Sequence, residues 1–227
     1  MQNLYDDEFY RNMETSYLSH SAWSRLRLKQ VKRMVDPKPG DRILDMGCGM
    51  GSITHFCSTL GAEVTGIDAS PLAIEKAKNL FKDLSAQFLV CDVSDLGGFM
   101  DGSFDKAVAA DLVEHLPDDV FAGMLREVRR VLKAQGTLSI YTPCPSHIIE
   151  RLKKRNLFIP PNPTHTDLRK MGEIQRMMEK NGFEINLAYY TTGFIPVMNW
   201  IEYLMKPLPV IGDFFRYRIC IRGLKHS

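Results

Sequence analysis

The sequence predicts an α/β protein in which a mainly parallel, seven-stranded sheet is covered by helices on both faces and has an antiparallel last strand. Two observations lead to this prediction. Short apolar runs alternate with helix-like segments through much of the 227 residues, a pattern typical of βαβ units. Four of these runs also carry an aspartate at or just beyond the carboxyl end. Open α/β sheets bind ligands at that edge, so we expect the site there.

The elements can be justified in order along the chain. An N-terminal helix with apolar residues from Trp23 to Val35 ends before Pro37, because proline interrupts a helix. Ser70 and Pro71 suit the N-cap and first position of a later helix. The first strand begins at 42, and the other strands are predicted at 63–68, 87–91, 104–110, 136–141, 183–190 and 215–222. The remaining helices are predicted at 53–60, 71–84, 118–132 and 168–181.

Composition narrows the class of partner. The formal net charge of +2 and the pI near 8.2 lack the basic surplus that is typical of nucleic-acid-binding domains, so no nucleic-acid partner is expected. Five cysteines without a C-x-x-C pair favour a reducing cytoplasm over a disulfide framework or a thiolate metal site. The acidic start of the chain lacks a basic leader and an apolar run. We therefore expect a cytoplasmic protein without a secretory signal.

The segment from Asp41 to Gly51 joins the first strand to a loop with glycine at alternate positions. Such glycines let a ligand approach the main chain, and the helix that follows offers its N-terminus. The dinucleotide fingerprint is G-x-G-x-x-G and receives a pyrophosphate, whereas the spacing here is G-x-G-x-G. Asp45, two residues before the first glycine, would repel a pyrophosphate. The loop therefore suits a phosphate-free ligand with cationic centres, such as S-adenosylmethionine.

A strand-end aspartate about 20 residues after such a loop is placed to accept both hydroxyls of an adenosine ribose, and Asp68 has this position. The full series occurs in order along successive strand ends: Asp45, Gly47, Gly49, Gly51, Asp68, Asp92 and Asp111. From about Val31 to Thr142 the chain resembles the class I S-adenosylmethionine-dependent methyltransferases, especially the ubiquinone-biosynthesis-like small-molecule methyltransferases. The resemblance implies a Rossmann-like, doubly wound fold. It also implies S-adenosylmethionine as methyl donor and S-adenosylhomocysteine as product.

The resemblance implies a role for each residue at the methionyl end of this cofactor. The ammonium group would lie near Asp45, and the sulfonium would lie beside Ala110 and Asp111, after the fourth strand. The loop that wraps the methionyl end consists of Gly47, Cys48, Gly49 and Gly51.

At the adenosine end, the resemblance places the ribose hydroxyls on Asp68 and the adenine beside Ala69. Asp92 would accept a hydrogen bond from the exocyclic amine, and the backbone N–H of Val93 would face a ring nitrogen. A single aspartate of this kind is more often a helix cap or turn residue. The complete series in register favours the binding role.

The segment from Asp111 to His115 places two carboxylates three residues apart, beside an imidazole. In some relatives an acid-x-x-Glu-His pattern holds a divalent cation that activates an acceptor hydroxyl. Asp111, Glu114, His115 and the more distant His165 would suit such an ion. Three roles stay open here: cation ligand, general base or orienting residue, and structural packing. We assign His115 as the catalytic residue, because a histidine at the reactive end can take the proton that the acceptor loses.

We expect one methyltransferase domain over residues 1–227. Its parts are an N-terminal helical cap (1–36), a cofactor-binding core (37–142) and a substrate-side part (143–227) with an apolar insertion at 194–214. Charges and prolines interrupt the insertion, so it cannot span a membrane, which needs about 20 mainly apolar residues. It suits a lid on the sheet, an apolar acceptor pocket or a surface that touches a bilayer.

The sequence thus predicts an enzyme that transfers a methyl group to an O, N or C atom of a small, apolar molecule by in-line displacement. An RNA or protein methyltransferase is the alternative within the enzyme class. It is weakened because the chain has no basic stripe and no Asn-Pro-Pro-Tyr-like motif after the fourth strand. A scaffold or sensor that binds the cofactor without transferring its methyl group is the alternative from another class. The oligomeric state is left open.

Overall fold

The computed structural model describes residues 6–157, 160, 164–193, 196–205, 207–208 and 211–226. The strands are β1 (Arg42–Met46), β2 (Glu63–Asp68), β3 (Gln87–Val90), β4 (Phe104–Ala110), β5 (Leu132–Pro143), β6 (Phe183–Tyr190) and β7 (Arg218–Lys225). The helices are α1 (Asp7–Leu18), α2 (Ala22–Val35), α3 (Ser52–Thr59), α4 (Pro71–Leu80), α5 (Asp118–Val131), α6 (Ile148–Lys154), α7 (Met171–Lys180) and α8 (Pro196–Met205). Single 3-10 turns occur at Val113–His115 and Gly212–Phe215.

The seven strands form one sheet in the order β3-β2-β1-β4-β5-β7-β6. The pairs from β3 to β5 are parallel, and β7 runs antiparallel to both of its neighbours. The predicted fold class is therefore confirmed. The strand order reverses between β1 and β4, which pair side by side, and such a switch point opens a crevice at the carboxyl ends.

Two apolar layers enclose the sheet. On one face α5 and α7 supply buried side chains, including Phe121, Leu125 and Met178. On the other face α2 and α3 pack through residues that include Met34 and Ile53. Because both faces are covered, β1 is an almost continuous buried run rather than an alternating one. This rigid centre carries the loops in which the motif residues lie.

The structure differs from the predicted elements mainly at boundaries and in short helices. Helix α4 ends at Leu80 rather than near 84, β5 begins directly after α5, and β7 starts three residues later than predicted. The connection after Thr142 contains α6, and the apolar insertion contains α8. Residues 161–163 of the connection and residues 194–195, 206 and 209–210 of the insertion lie outside the described residues.

No helix in the part of the chain that the structure describes is both long and apolar enough to cross a membrane.

Gly51 offers a test of the packing under the glycine loop. Its φ is +86°, and an added Cβ would lie 2.7 Å from Cε1 of Phe88. We predict that Gly51→Ala lowers the free energy of unfolding by about 2–5 kcal/mol, because left-handed backbone costs about 1–2 kcal/mol and overpacking costs about 1–3 kcal/mol. Chemical denaturation of the purified variants measures the loss.

Two other glycines separate these effects. Gly40 has a φ of +82° with nothing within 4 Å of its Cβ position, and Gly98 has neither a left-handed φ nor any atom within 4 Å of its Cβ position. Gly40→Ala should lower the free energy of unfolding by the backbone cost alone. Gly98→Ala should have a free energy of unfolding close to that of the parent. Equal losses in Gly51→Ala and Gly40→Ala would contradict the close packing against Phe88.

Candidate functional site

The glycine loop follows β1 and leads into α3. Gly47, Gly49 and Gly51 have φ values of +65°, +54° and +86°, a region that glycine enters without steric cost. The N–H of Cys48 donates to the carbonyl of Ile67, at 2.9 Å, and this bond holds the loop against β2. Gly51 is the N-cap of α3 and brings no capping side chain. The positive end of α3 therefore meets the crevice with backbone N–H groups as its donors.

Asp45 lies within β1, next to the loop, and is almost completely buried. Its Oδ2 accepts a hydrogen bond from Oγ1 of Thr54 at 2.7 Å. Burial raises the pKa of Asp45 to about 6, against the opposing effect of the Thr54 hydrogen bond, and the charge of Asp68 adds to the rise. A buried carboxylate next to a second one favours a cationic ligand and disfavours an anionic one.

Asp68 is the last residue of β2, and the protein backbone fixes its carboxylate. Oδ2 accepts from the N–H of Gly49, and Oδ1 accepts from the N–H of Ser70, both at 2.9 Å. Burial raises its pKa, although these two hydrogen bonds oppose the shift. Each carboxylate oxygen has a further lone pair for a ligand. The predicted neighbour Ala69 is exposed beside it.

Asp92 lies two residues beyond β3 and is exposed. Its Oδ1 accepts from both the N–H and the hydroxyl of Ser94, at 2.8 and 2.7 Å, as in an Asx turn. The N–H of Cys91 donates to the carbonyl of Asp68, at 3.0 Å, so this turn adjoins the end of β2. Val93 is buried beside it. Asp92 and Val93, the two residues predicted to hydrogen-bond the adenine, therefore lie at the same edge as Asp68.

Asp111 follows Ala110, the last residue of β4, with a φ of +57°. Its Oδ2 accepts from Nε of Arg27 at 2.7 Å, and its Oδ1 accepts from Nη1 of Arg218. Burial alone would raise the pKa of Asp111, but the two guanidinium groups outweigh it and hold the pKa below its usual range. Arg27 also donates to the carbonyl of Ala110. Both carboxylate oxygens of Asp111 thus form ion pairs with buried arginines.

Sequence reasoning missed Arg27. The apolar residues from Trp23 to Val35 served only to predict the helix itself, yet Arg27 within it is only 7% exposed, while Trp23 is half-buried. Nη1 of Arg27 also reaches Oγ of Ser52 at 3.1 Å, at the start of α3. The available signal was spacing, because Arg27 lies four residues before Val31 on one helical face. Arg218 was missed as well, since its partner is distant in sequence.

Glu114 lies in the 3-10 turn after β4 and is 1% exposed. Its Oε2 accepts from Oγ1 of Thr142 at 2.9 Å, whereas Oε1 has no hydrogen-bond partner among the described residues. Burial and the nearby charge of Asp111 raise the pKa of Glu114 to about 7. Ligand atoms of Glu114, His115 and His165 all lie within 4.8 Å of one another. Asp111, the fourth member of the predicted set, does not belong to this group.

The tautomer of His115 follows from its tether. Nδ1 lies 2.6 Å from the carbonyl oxygen of Thr164, and a carbonyl only accepts hydrogen bonds. Nδ1 therefore carries the proton, and in the neutral ring Nε2 carries the lone pair. That lone pair can bind a proton or a metal ion. The assignment of His115 as the catalytic residue stays a prediction.

His165 has a comparable arrangement next to His115, with 5.3 Å between the two ring centroids. Its Nδ1 lies 3.7 Å from Oε2 of Glu150, a carboxylate on α6. Burial opposes ionisation of Glu150, but His165 and Lys153 lower its pKa to about 2. A charged carboxylate behind a histidine is the usual support of metal-binding imidazoles. Two imidazoles and one carboxylate fit a divalent transition-metal ion.

Solved structures share this fold. An S-adenosylmethionine-dependent methyltransferase from Archaeoglobus fulgidus aligns with 97% of this chain and 100% of its own, with a TM-score of 0.72 and 19% identity. The [4+2]-cyclase SpnF aligns with 89% of this chain and 80% of its own, with a TM-score of 0.65 and 20% identity. Similarity at this level shows the fold alone, and the cyclase illustrates that a fold does not determine chemistry.

Curated relatives are closer in sequence. The ubiquinone biosynthesis O-methyltransferase of Xanthomonas campestris pv. campestris is 36% identical over 123 residues, and that of Xanthomonas oryzae pv. oryzae is 34% identical over the same length. Each alignment covers 53% of this chain and 50% of the relative. The chain therefore spans about half the length of the curated relatives that it matches.

A family model described as a methyltransferase domain matches residues 43–136. This range begins in β1 and ends in β5, so it contains the glycine loop and the ends of all the strands that carry the predicted cofactor residues. Fold, motif and relatives agree over this part of the chain. Residues 43–136 therefore match a methyltransferase domain, and the chain has the fold of solved S-adenosylmethionine-dependent methyltransferases.

Proposed function

We propose that this chain transfers a methyl group from S-adenosylmethionine to a hydroxyl oxygen of a small, apolar molecule. One observation carries the proposal: the carboxylates of Asp45 and Asp68 and the imidazole of His115 lie at one edge of the sheet. The carboxylates suit a cationic cofactor, and the imidazole suits removal of a proton. The curated relatives are named O-methyltransferases, which favours oxygen over the nitrogen and carbon acceptors that the sequence left open.

The residues of the glycine loop fit the methionyl end of the cofactor. Asp45 supplies the negative charge that an ammonium group requires, and an ammonium beside it would offset the burial that raises the pKa of Asp45 to about 6. Gly49 has no Cβ, so the cofactor can approach its backbone closely. The nearest atom to the position that a Cβ would take is 3.8 Å away. In this proposal the sulfonium lies beside Ala110 and Asp111.

In this proposal, residues at the ends of β2 and β3 bind the adenosine end of the cofactor. Asp68 receives the two ribose hydroxyls on lone pairs that its backbone hydrogen bonds leave available. Ala69 lies beside the adenine, Asp92 accepts from the exocyclic amine, and the N–H of Val93 donates to a ring nitrogen. A pyrophosphate at the glycine loop would meet the carboxylate of Asp45, which disfavours a dinucleotide on electrostatic grounds.

When bound, S-adenosylmethionine supplies an electrophilic methyl group on its sulfonium. The protein aligns the acceptor with that group, which is the larger part of catalysis in such a displacement. His115 takes the hydroxyl proton on Nε2, while the Thr164 carbonyl holds the ring in place. A positioned base of this kind contributes about 10²–10⁴-fold in rate.

A divalent cation belongs to the same proposal as an optional component. Glu114, His115 and His165 would hold it, and it would lower the pKa of an acceptor hydroxyl. The Nε2 lone pair of His115 serves either as the base or as a cation ligand. Comparing turnover with magnesium, with zinc and after chelation separates the two roles.

A cytoplasmic location also belongs to the proposal. None of the five cysteines, all of which lie among the described residues, forms a disulfide bond, which supports a reducing compartment.

The activity is tested by measuring release of S-adenosylhomocysteine over a panel of hydroxylated aromatic acceptors, with RNA and protein acceptors included. We expect turnover on small acceptors only. Binding of the cofactor without turnover on any acceptor would support the non-catalytic scaffold instead. Mass spectrometry of ligand released from the purified protein tests the cofactor, and recovery of a nicotinamide dinucleotide would overturn the assignment.

For Asp68→Ala we predict a dissociation constant for S-adenosylmethionine that rises about 100-fold or more, because two hydrogen bonds to a charged group are lost. Isothermal titration calorimetry measures it. Glu63→Ala is the matched control, since Glu63 is exposed at the opposite end of β2. Unchanged affinity in the Asp68 variant would refute the ribose role.

For Asp45→Asn we predict weaker cofactor binding together with higher stability at pH 7. The folded-state pKa of about 6 exceeds the ordinary value of 3.8, so the folded chain binds this proton more tightly than the unfolded chain does. The free energy of unfolding therefore falls as pH rises from about 4 to about 6. Removing the charge should therefore raise the free energy of unfolding by about 1–3 kcal/mol at pH 7 and should not change it below pH 4.

Urea denaturation at both pH values measures this difference. Asp83→Asn is the control, because Asp83 is exposed after α4. A loss of stability at pH 7 in the Asp45 variant would contradict the argument.

His115→Asn keeps a donor near the position of Nδ1 and removes Nε2. We predict that turnover falls about 100-fold or more while the affinity for S-adenosylmethionine stays near that of the parent. Steady-state kinetics and calorimetry measure the two quantities. Parallel losses of turnover and affinity would show that His115 acts in packing or binding instead.

A further inference from the structure

Helix α8 exposes apolar side chains and buries its only charged residue, the reverse of an ordinary surface helix. Trp200 and Tyr203 are 72% and 74% exposed, whereas Glu202 is 2% exposed. The neighbouring exposed apolar residues are Ile201, Leu204, Leu208 and Ile211. A contiguous exposed patch of this kind marks an interaction surface.

The orientation of α8 is set by polar contacts on its inner side. Glu202 accepts a hydrogen bond from the N–H of Gly193, and its Oε1 lies 3.4 Å from Nε2 of the buried His147. Rotating the helix to bury Trp200 would expose Glu202 and leave these partners without their carboxylate. Burying an unpaired polar group is unfavourable, so the apolar face stays outward.

A cationic cluster adjoins this face. His147, the partner of Glu202, is the N-cap of α6, and the seven residues of that helix extend about 10 Å from it. Along it, Arg151 and Lys154 are exposed, as is Arg155 just beyond its end. The guanidinium of Arg151 lies 4.2 Å from the ring centroid of Phe214, in the 3-10 turn that packs against α8.

The acidic residues of these segments do not offset the cluster. Glu150 pairs with Lys153, and Asp213 pairs with Arg216, while Glu202 points inward. The described parts of α6, α8 and the 3-10 turn therefore present aromatic and apolar side chains beside an excess of positive charge.

We propose that this α6–α8 surface, formed by Trp200, Ile201, Tyr203 and Leu204 with Arg151, Lys154 and Arg155, docks on an anionic lipid bilayer. Tryptophan and tyrosine favour the membrane–water interface, and apolar residues beside basic ones are typical of helices that lie in it. Basic side chains are attracted to anionic headgroups.

A second copy of the chain fits this surface less well. In a two-fold dimer through α8 the same patch would meet itself, so the basic residues of both copies would lie near one another. An anionic bilayer instead satisfies the apolar and the cationic parts together. The docked face is also close to the catalytic cluster, because Glu150 of α6 approaches His165 at 3.7 Å. The inference does not depend on methyl transfer.

The test uses the full chain with vesicles of phosphatidylcholine alone or mixed with phosphatidylserine. We expect co-sedimentation with the anionic vesicles, weakened by added salt, and little with the neutral ones. The chain has two tryptophans, so Trp23→Phe leaves Trp200 as the only tryptophan, whose fluorescence can be excited selectively. Its emission should shift to the blue on anionic vesicles.

Two matched pairs of variants identify the surface. Trp200→Ser with Tyr203→Ser should weaken vesicle binding about tenfold or more, whereas Met100→Ser, at a residue 77% exposed before β4, should not. Lys154→Glu with Arg155→Glu should weaken binding, whereas Lys82→Glu with Lys180→Glu, at exposed positions after α4 and in α7, should not.

Circular dichroism melts confirm that each variant is folded. Failure of the parent to sediment with anionic vesicles would overturn the proposal, as would equal losses in the control variants. A dimer in solution that Trp200→Ser dissociates, without vesicle binding, would assign the surface to a second copy. Loss of methyl transfer to a soluble acceptor would bear on the proposed function and not on this surface.

Discussion

The carboxyl edge of the sheet depends on one carboxylate held between two guanidinium groups. Asp111 accepts from Arg27 of α2 and from Arg218 of β7, so it connects the N-terminal helices, the end of β4 and the C-terminal strand. The three side chains are largely buried, and removing one partner of a buried ion cluster leaves the others uncompensated. The cluster also holds Asp111 in a left-handed backbone conformation, which persists only where the surroundings determine it.

The charges of this cluster act on the pKa values of the neighbouring acids. Because Asp111 stays ionised, its charge adds to the effect of burial on Glu114, whose pKa rises to about 7. On the other side of Arg27, burial raises the pKa of Asp45 to about 6. Two acids of the edge thus have pKa values near neutrality, and a cation at either position would favour the charged form. The proposed cofactor ammonium beside Asp45 and the proposed metal ion beside Glu114 would both act through this electrostatic effect.

Much of the fold could be predicted because its strands have strong local signals. The bounds of β2, β4 and β6 match the predicted ones, since apolar runs there end at glycine, aspartate or a change of hydrophobic pattern. By contrast, β5 begins four residues earlier than predicted, at Leu132, where pairing with Phe104 of β4 recruits a polar stretch. Helix α6 is short and depends on His147 at its N-cap, a contact that local propensity does not report.

The sequence by itself determined the class of fold, the glycine loop and the order of the strand-end aspartates, because these depend on backbone conformation and on periodicity within short segments. Only the tertiary structure decided that Asp111 binds two arginines, that Glu114 meets His165, and that Glu202 points inward. Each of these contacts joins residues that are far apart in sequence or on different elements. Their energies depend on burial and on neighbouring charge, which exist only once the chain has folded.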